Sequence, residues 1–173
     1  GRIGVQMPMD IIEKGIKLAA SNLSANGGNQ AAQAIMTTDT VPKAAAVEVE
    51  LSGRKVTLGA ICKGVGMIDP HMTVAPHATM ICCITTDVKC DNALLEKLLA
   101  DNADNSFNRI TVDGDMSTND TVLILANGKS GAVIAPDSPD EKLFAEALLA
   151  LMQNLAKLTN TKYLIGFDRY EIS

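Results

Sequence analysis

The chain has 173 residues, 47% of them hydrophobic, and a net charge of −5. That is enough apolar material for one sizeable core, so a single domain is expected and disorder is not indicated. The scattered Lys and Arg leave no basic footprint for nucleic acid or an anionic membrane, and the apolar runs Thr121 to Ala126 and Leu148 to Met152 are far shorter than the roughly 20 residues that span a bilayer. A soluble protein with a small-molecule or protein partner is expected.

In chain order, Met7-Pro8-Met9-Asp10 opens a periodic segment, and a helix is predicted from Pro8 to Leu23, proline being tolerated in a first turn. The cluster 24–29 is a turn, and Gln30 to Met36 reads as a short Ala-rich helix. Ala44 to Leu51 alternates apolar and polar residues, Ser52-Gly53 turns, and Lys55 to Cys62 returns, which predicts a β-hairpin. Thr79 to Thr85 reads as a buried strand, and Asp91 to Ala103 as a helix that opens on a capping aspartate. The polar segment Ser106 to Asp120 reads as a loop. Periodicity alone does not separate helix from strand in Thr121 to Ala126, and helix is favoured. Gly131 to Ala135 reads as a short strand, and Ser138-Pro139-Asp140-Glu141 starts a long amphipathic helix to about Leu158. This order predicts an α+β fold of β-sheets covered by helices rather than a doubly wound sheet.

Few motifs carry chemistry on spacing alone. Lys63-Gly64-Val65-Gly66 is neither GxGxxG nor a phosphate loop, so a tight turn with a solvated lysine is the plain reading. His71, His77 and the four cysteines Cys62, Cys82, Cys83 and Cys90 match no standard ligand set, so no metal is expected and the thiols read as reduced; Cys82 and Cys83 would face opposite sides of a strand. Asp113-Gly114-Asp115 lacks the later glutamate of a calcium loop and reads as a turn. Thr79 has two readings, a β-former entering a buried strand or a nucleophile freed by cleavage before it, whose own α-amine would serve as base.

Several words in order bear on that choice: Gly4-Val5-Gln6-Met7-Pro8-Met9, Ile35-Met36-Thr37-Thr38-Asp39-Thr40, Lys63-Gly64-x-Gly66-Met67-Ile68-x-Pro70, Ala78-Thr79-Met80, Ile84-Thr85-Thr86-Asp87, Ser106 to Asp115, and Ser117-Thr118-Asn119-Asp120-Thr121. Across residues 1 to 135 they resemble the ornithine acetyltransferase family of arginine biosynthesis. The resemblance implies an N-terminal-nucleophile-like layered architecture, of which residues 1–173 are the central part: 1–78 the end of an α-chain-like segment and 79–173 the start of a β-chain-like one. It implies self-cleavage between Ala78 and Thr79, association of the two chains, and an oligomer. Thr79 would then carry an acetyl group from N-acetylornithine to glutamate as an ester, with no cofactor and with acetyl-CoA as a further donor in some members. By the same resemblance, Lys63 binds substrate and Gly1 belongs to a Thr-Gly oxyanion pair. The location implied is the cytoplasm, or the mitochondrial matrix in a eukaryote.

The sequence departs from the family pattern in two places. Extra residues lie within His71 to Pro76, leaving Thr73, which follows Met72, as a weaker candidate nucleophile. Thr159 to Ser173 lacks the Asp-Gly-Glu-Gly-Ala-Thr-Lys word whose glutamate binds substrate in the family. An N-terminal-nucleophile amidohydrolase, which would pass the acyl group to water, and an uncleaved binding or structural homologue are the alternatives.

Overall fold

A computed structural model describes residues 4–70 and 80–160, and the backbone of 169–171. Thr79, Ala78, Gly1, Thr73 and both histidines lie outside the described residues. Helix α1 (Met9–Ser21) follows Pro8, whose carbonyl accepts the N–H groups of Ile11 and Ile12 at 3.1 Å. None of its residues is buried, and Ile11, Ile16 and Leu18 are among the exposed apolar side chains. Helix α2 (Gly28–Ala34) buries Ala32.

Strands β1 (Lys43–Leu51) and β2 (Arg54–Lys63) form the expected hairpin, with Leu51 opposite Arg54. Ser52 and Gly53 both take positive φ, 47° and 72°, the backbone that a two-residue hairpin turn requires to match strand twist. β3 (Ile81–Thr86) runs antiparallel to β2, and β4 (Thr121–Ala126) runs parallel to β3. With β5 (Arg169–Glu171) parallel to β1, the mixed sheet has the order β4-β3-β2-β1-β5.

Two sequence expectations are corrected here. Thr121 to Ala126 is a strand, not a helix, because its backbone groups pair along the whole length of β3, from Ile81↔Thr121 to Thr86↔Ala126. A six-residue apolar run carries no internal sign of such a partner. Gly131 to Ala135 is not a strand; it makes the single bridge Lys89↔Val133.

Helix α3 (Asn92–Ala103) is capped as expected, Asp91 accepting the Ala93 N–H at 2.9 Å. Helix α4 (Pro139–Asn160) packs on β1 and β2, and α3 packs on α4. Alternation in the strands decides what meets them. Val47, Val49, Leu58 and Ile84 point into the helical layer and are buried, with Phe144, Leu148, Met152 and Leu155 of α4 among them. The other face of the sheet carries Ile81, Leu123 and Leu125, which are 37%, 50% and 66% exposed. The chain is thus an α+β fold with helices layered on a mixed sheet, as its element order implied. No helix among the described residues is long and apolar enough to cross a membrane.

Candidate active site around the head of strand β3

Lys63 is the last residue of β2 and stands opposite Ile81 at the head of β3. Because side chains alternate along β2, with Leu58, Ala60 and Cys62 buried, Lys63 shares the other face with Ile61. The strand that follows Thr79 in sequence therefore begins beside Lys63, the lysine to which the family resemblance gives substrate binding. The described residues do not extend to Thr79, Ala78 or Gly1, so the family-implied roles of those three rest on sequence.

Three aspartates fix the backbone around this point. Asp39 accepts the Gly64 N–H at 2.8 Å and the Thr37 N–H at 3.3 Å, and its carboxylate pairs with the Lys43 ammonium. Both side chains of that pair are almost fully buried, Lys43 4% and Asp39 1% exposed. Burial acts to raise the Asp39 pKa, but the Lys43 contact and the Gly64 and Thr37 amides outweigh it and hold the carboxyl below its usual range.

Asp113 holds the turn that follows. Its carboxylate accepts Met67 N–H at 2.6 Å and Ile68 N–H at 3.0 Å, while Val112 N–H donates to the Ile68 carbonyl at 2.7 Å. Met67 has φ 57°, a conformation that costs a non-glycine residue energy and persists only where its surroundings hold it. The Met67 amide, and then the Ile68 amide, keep the Asp113 pKa low. The third aspartate, Asp120, is 3% exposed and accepts the Met80 N–H at 2.6 Å.

Gly64 is where these restraints converge. Its φ is +137°, and a Cβ there would come within 3.1 Å of Ile68 Cδ1 and 3.3 Å of Met80 Cα. The turn and the head of β3 thus touch through a residue that has no side chain. Gly64→Ala is expected to lower stability by about 1–3 kcal/mol, from backbone strain and the approach to Met80 together, read as a lower denaturant midpoint at unchanged slope.

The thiols are free. Cys62 and Cys82 are buried cross-strand neighbours, whereas Cys83 faces the other side of β3 and is half-buried. The Cys62 side chain, together with burial, pushes the Cys82 thiol up, and burial pushes Cys83 and Cys90 up. None of these three has the lowered pKa that makes a cysteine a reactive nucleophile at neutral pH.

Sequence reasoning assigned no role to Asp39 or Asp120 and read Asp113 only as a turn-forming carboxylate, although all three lie inside the words that carry the family resemblance. The signal was available in one case, since Asp39 and Lys43 are four residues apart with opposite charge.

Comparison with known proteins bears on what the site does. The ArgJ family model matches residues 1–161. A protein named arginine biosynthesis bifunctional protein ArgJ from Symbiobacterium thermophilum is 52% identical over 158 residues, covering 91% of this chain and 38% of that protein. A glutamate N-acetyltransferase from Methanococcus maripaludis is 48% identical over 159 residues, again 91% of this chain and 38% of the relative. An ArgJ protein from Synechocystis is 44% identical over 158 residues, 91% of this chain and 37% of its own length. The chain thus spans under two fifths of the relatives it matches, and the family match ends at residue 161, within the segment where the expected glutamate-containing word is missing. A match over nearly the whole chain, together with this identity, shows that the chain belongs to the ArgJ family.

Proposed function

We propose that this chain is part of an acyltransferase of arginine biosynthesis that moves an acetyl group from N-acetylornithine to glutamate through Thr79. The observation that carries the reading is the family match over residues 1–161, which includes Ala78-Thr79 and Lys63, joined to relatives named glutamate N-acetyltransferase. In the proposed sequence, Thr79 Oγ attacks the Ala78 carbonyl carbon, the peptide C–N bond breaks, and the nitrogen takes up a proton to become the α-amine of Thr79. Water then hydrolyses the resulting ester, leaving a carboxylate on Ala78 and a free threonine hydroxyl.

The new amine has a reference pKa near 8, so a useful fraction is neutral at working pH and accepts the hydroxyl proton as Oγ attacks the acetyl carbonyl of N-acetylornithine. The amide nitrogen leaves with a proton as ornithine, and the acetyl group stays on Oγ as an ester. The amine of glutamate attacks that ester, forming N-acetylglutamate and returning the hydroxyl. Lys63 supplies an ammonium for a substrate carboxylate, and Gly1 belongs to the oxyanion pair, where one aimed donor is worth about 3 kcal/mol. The two chains stay associated after cleavage, in an oligomer, in the cytoplasm or mitochondrial matrix, and the transfer needs no cofactor; acetyl-CoA is a further donor in some members of the family.

Intact-mass measurement and an acetyl-transfer assay on the protein expressed from its complete gene test this. Two fragments, one ending at Ala78 and one beginning at Thr79, are expected, and Thr79→Ala should lose both splitting and transfer. Release of acetate without any need for glutamate would identify a hydrolase instead. An unsplit protein that moves no acetyl group would refute the reading.

A further inference from the structure

We propose that Asp120 is a positioning residue for Thr79, acting through the amide of Met80; the proposal rests on the acyltransferase reading above. Met80 is restrained on every side that the described residues reach. Its side chain is fully buried, its N–H donates to Asp120 Oδ1 at 2.6 Å, and its carbonyl accepts the Thr121 N–H at 2.9 Å. Gly64 lies against its Cα, close enough that a Cβ on Gly64 would sit 3.3 Å away.

The N–H that Asp120 receives belongs to the peptide group whose carbonyl is that of Thr79. A peptide group is planar and its C–N bond is only about 1.33 Å long, so an acceptor that fixes the N–H also fixes the plane in which the Cα of the preceding residue lies. Asp120 is suited to this. Asp120 immediately precedes β4 and Met80 immediately precedes β3, and Thr121 pairs with Ile81, so carboxylate and amide stand together at the head of one ladder. A carboxylate makes a shorter and stronger bond to an N–H than a neutral acceptor does.

Met80 stays covalently attached to Thr79 before and after cleavage before Thr79. The same restraint therefore aims the threonine in both self-cleavage and acetyl transfer. Aim matters because a misplacement of about 1 Å costs on the order of 100-fold in rate. The role proposed for Asp120 runs through the Met80 amide and requires no contact with substrate.

The test uses the protein expressed from its complete gene and reads the rate of chain splitting, then kcat and KM of the split enzyme. Asp120→Ala is expected to split about tenfold or more slowly, with kcat reduced similarly and KM unchanged. Asp120→Asn, which keeps an oxygen acceptor, should recover most of both rates. Asp120→Glu, which keeps the charge but displaces the oxygen by one methylene, is run beside them and should also split about tenfold slower; it carries the test if the alanine variant does not fold. Val88→Ala, a buried site away from this contact, controls for lost stability and should split at the parental rate.

Parental splitting in Asp120→Ala or Asp120→Glu, an equal slowing in Val88→Ala, or no recovery with asparagine would each overturn the proposal. If the unsubstituted protein neither splits nor transfers acetyl groups, the acyltransferase reading falls and this one with it. Unaltered rates in Asp120→Ala, beside a parent that does split, remove this proposal alone.

Discussion

Replacing Asp39 with alanine is expected to destabilise the fold by about 3–5 kcal/mol, because it leaves the Lys43 ammonium buried without its carboxylate. Lys43 is 4% exposed, so water cannot take over the lost contact. The Gly64 and Thr37 amides lose their acceptor at the same time. Lys43→Met should cost less. The carboxylate it leaves behind still accepts two N–H groups, which stabilise the charge that methionine cannot. Urea denaturation of the two variants checks the order, and equal losses would show that the amides contribute little.

The same group predicts an acid-sensitive component of stability. The Asp39 pKa is lower folded than unfolded, so the unfolded chain binds the proton more readily. Its contribution is complete above the unfolded value of about 3.9 and disappears as pH falls through the lower folded value. The gap in stability between the parent and Asp39→Asn should therefore be constant at neutral pH and narrow below about pH 4.

Phe144→Ala is the second large effect, about 3–5 kcal/mol, as expected for emptying a fully buried aromatic site. Phe144 lies on the face of α4 that covers the sheet, together with Leu148, Leu151 and Leu155, all part of one core with Val47 and Leu58. This helix is the element that closes the layer, so a cavity there loosens helix and sheet together. Leu143, one residue earlier, is 38% exposed and provides the comparison. Leu143→Ala should change stability by roughly 1 kcal/mol or less. A similar loss at both positions would mean that α4 is rotated from the face described.

The difference between 143 and 144 is one that helical periodicity in the sequence already contained. Much of the fold is legible in the same way. Alternation through Ala44–Leu51, closed by Ser52-Gly53, set the hairpin, since each residue's face follows from its position alone. Asp91 announced α3 through a bond that spans two residues. The family itself was legible from ordered words, because identity is a property of sequence and needs no coordinates.

Other features depend on partners distant in the chain. Thr121 to Ala126 is a strand because β3 lies beside it, and nothing within its six residues records that neighbour. The aspartates act over still longer separations: Asp39 reaches an amide 25 residues away, Asp120 one 40 away and Asp113 one 46 away. Local pattern cannot register such bonds, because a carboxylate's sequence neighbours do not reveal which backbone N–H the fold will bring to it. The sequence by itself determined the hairpin, the long helices and the family. Only the tertiary structure decided that β4 pairs in parallel with β3 and that buried carboxylates hold Gly64 and Met80 in place. Those arrangements satisfy polar groups that burial would otherwise leave unpaired, a condition that exists only once the chain has closed around them.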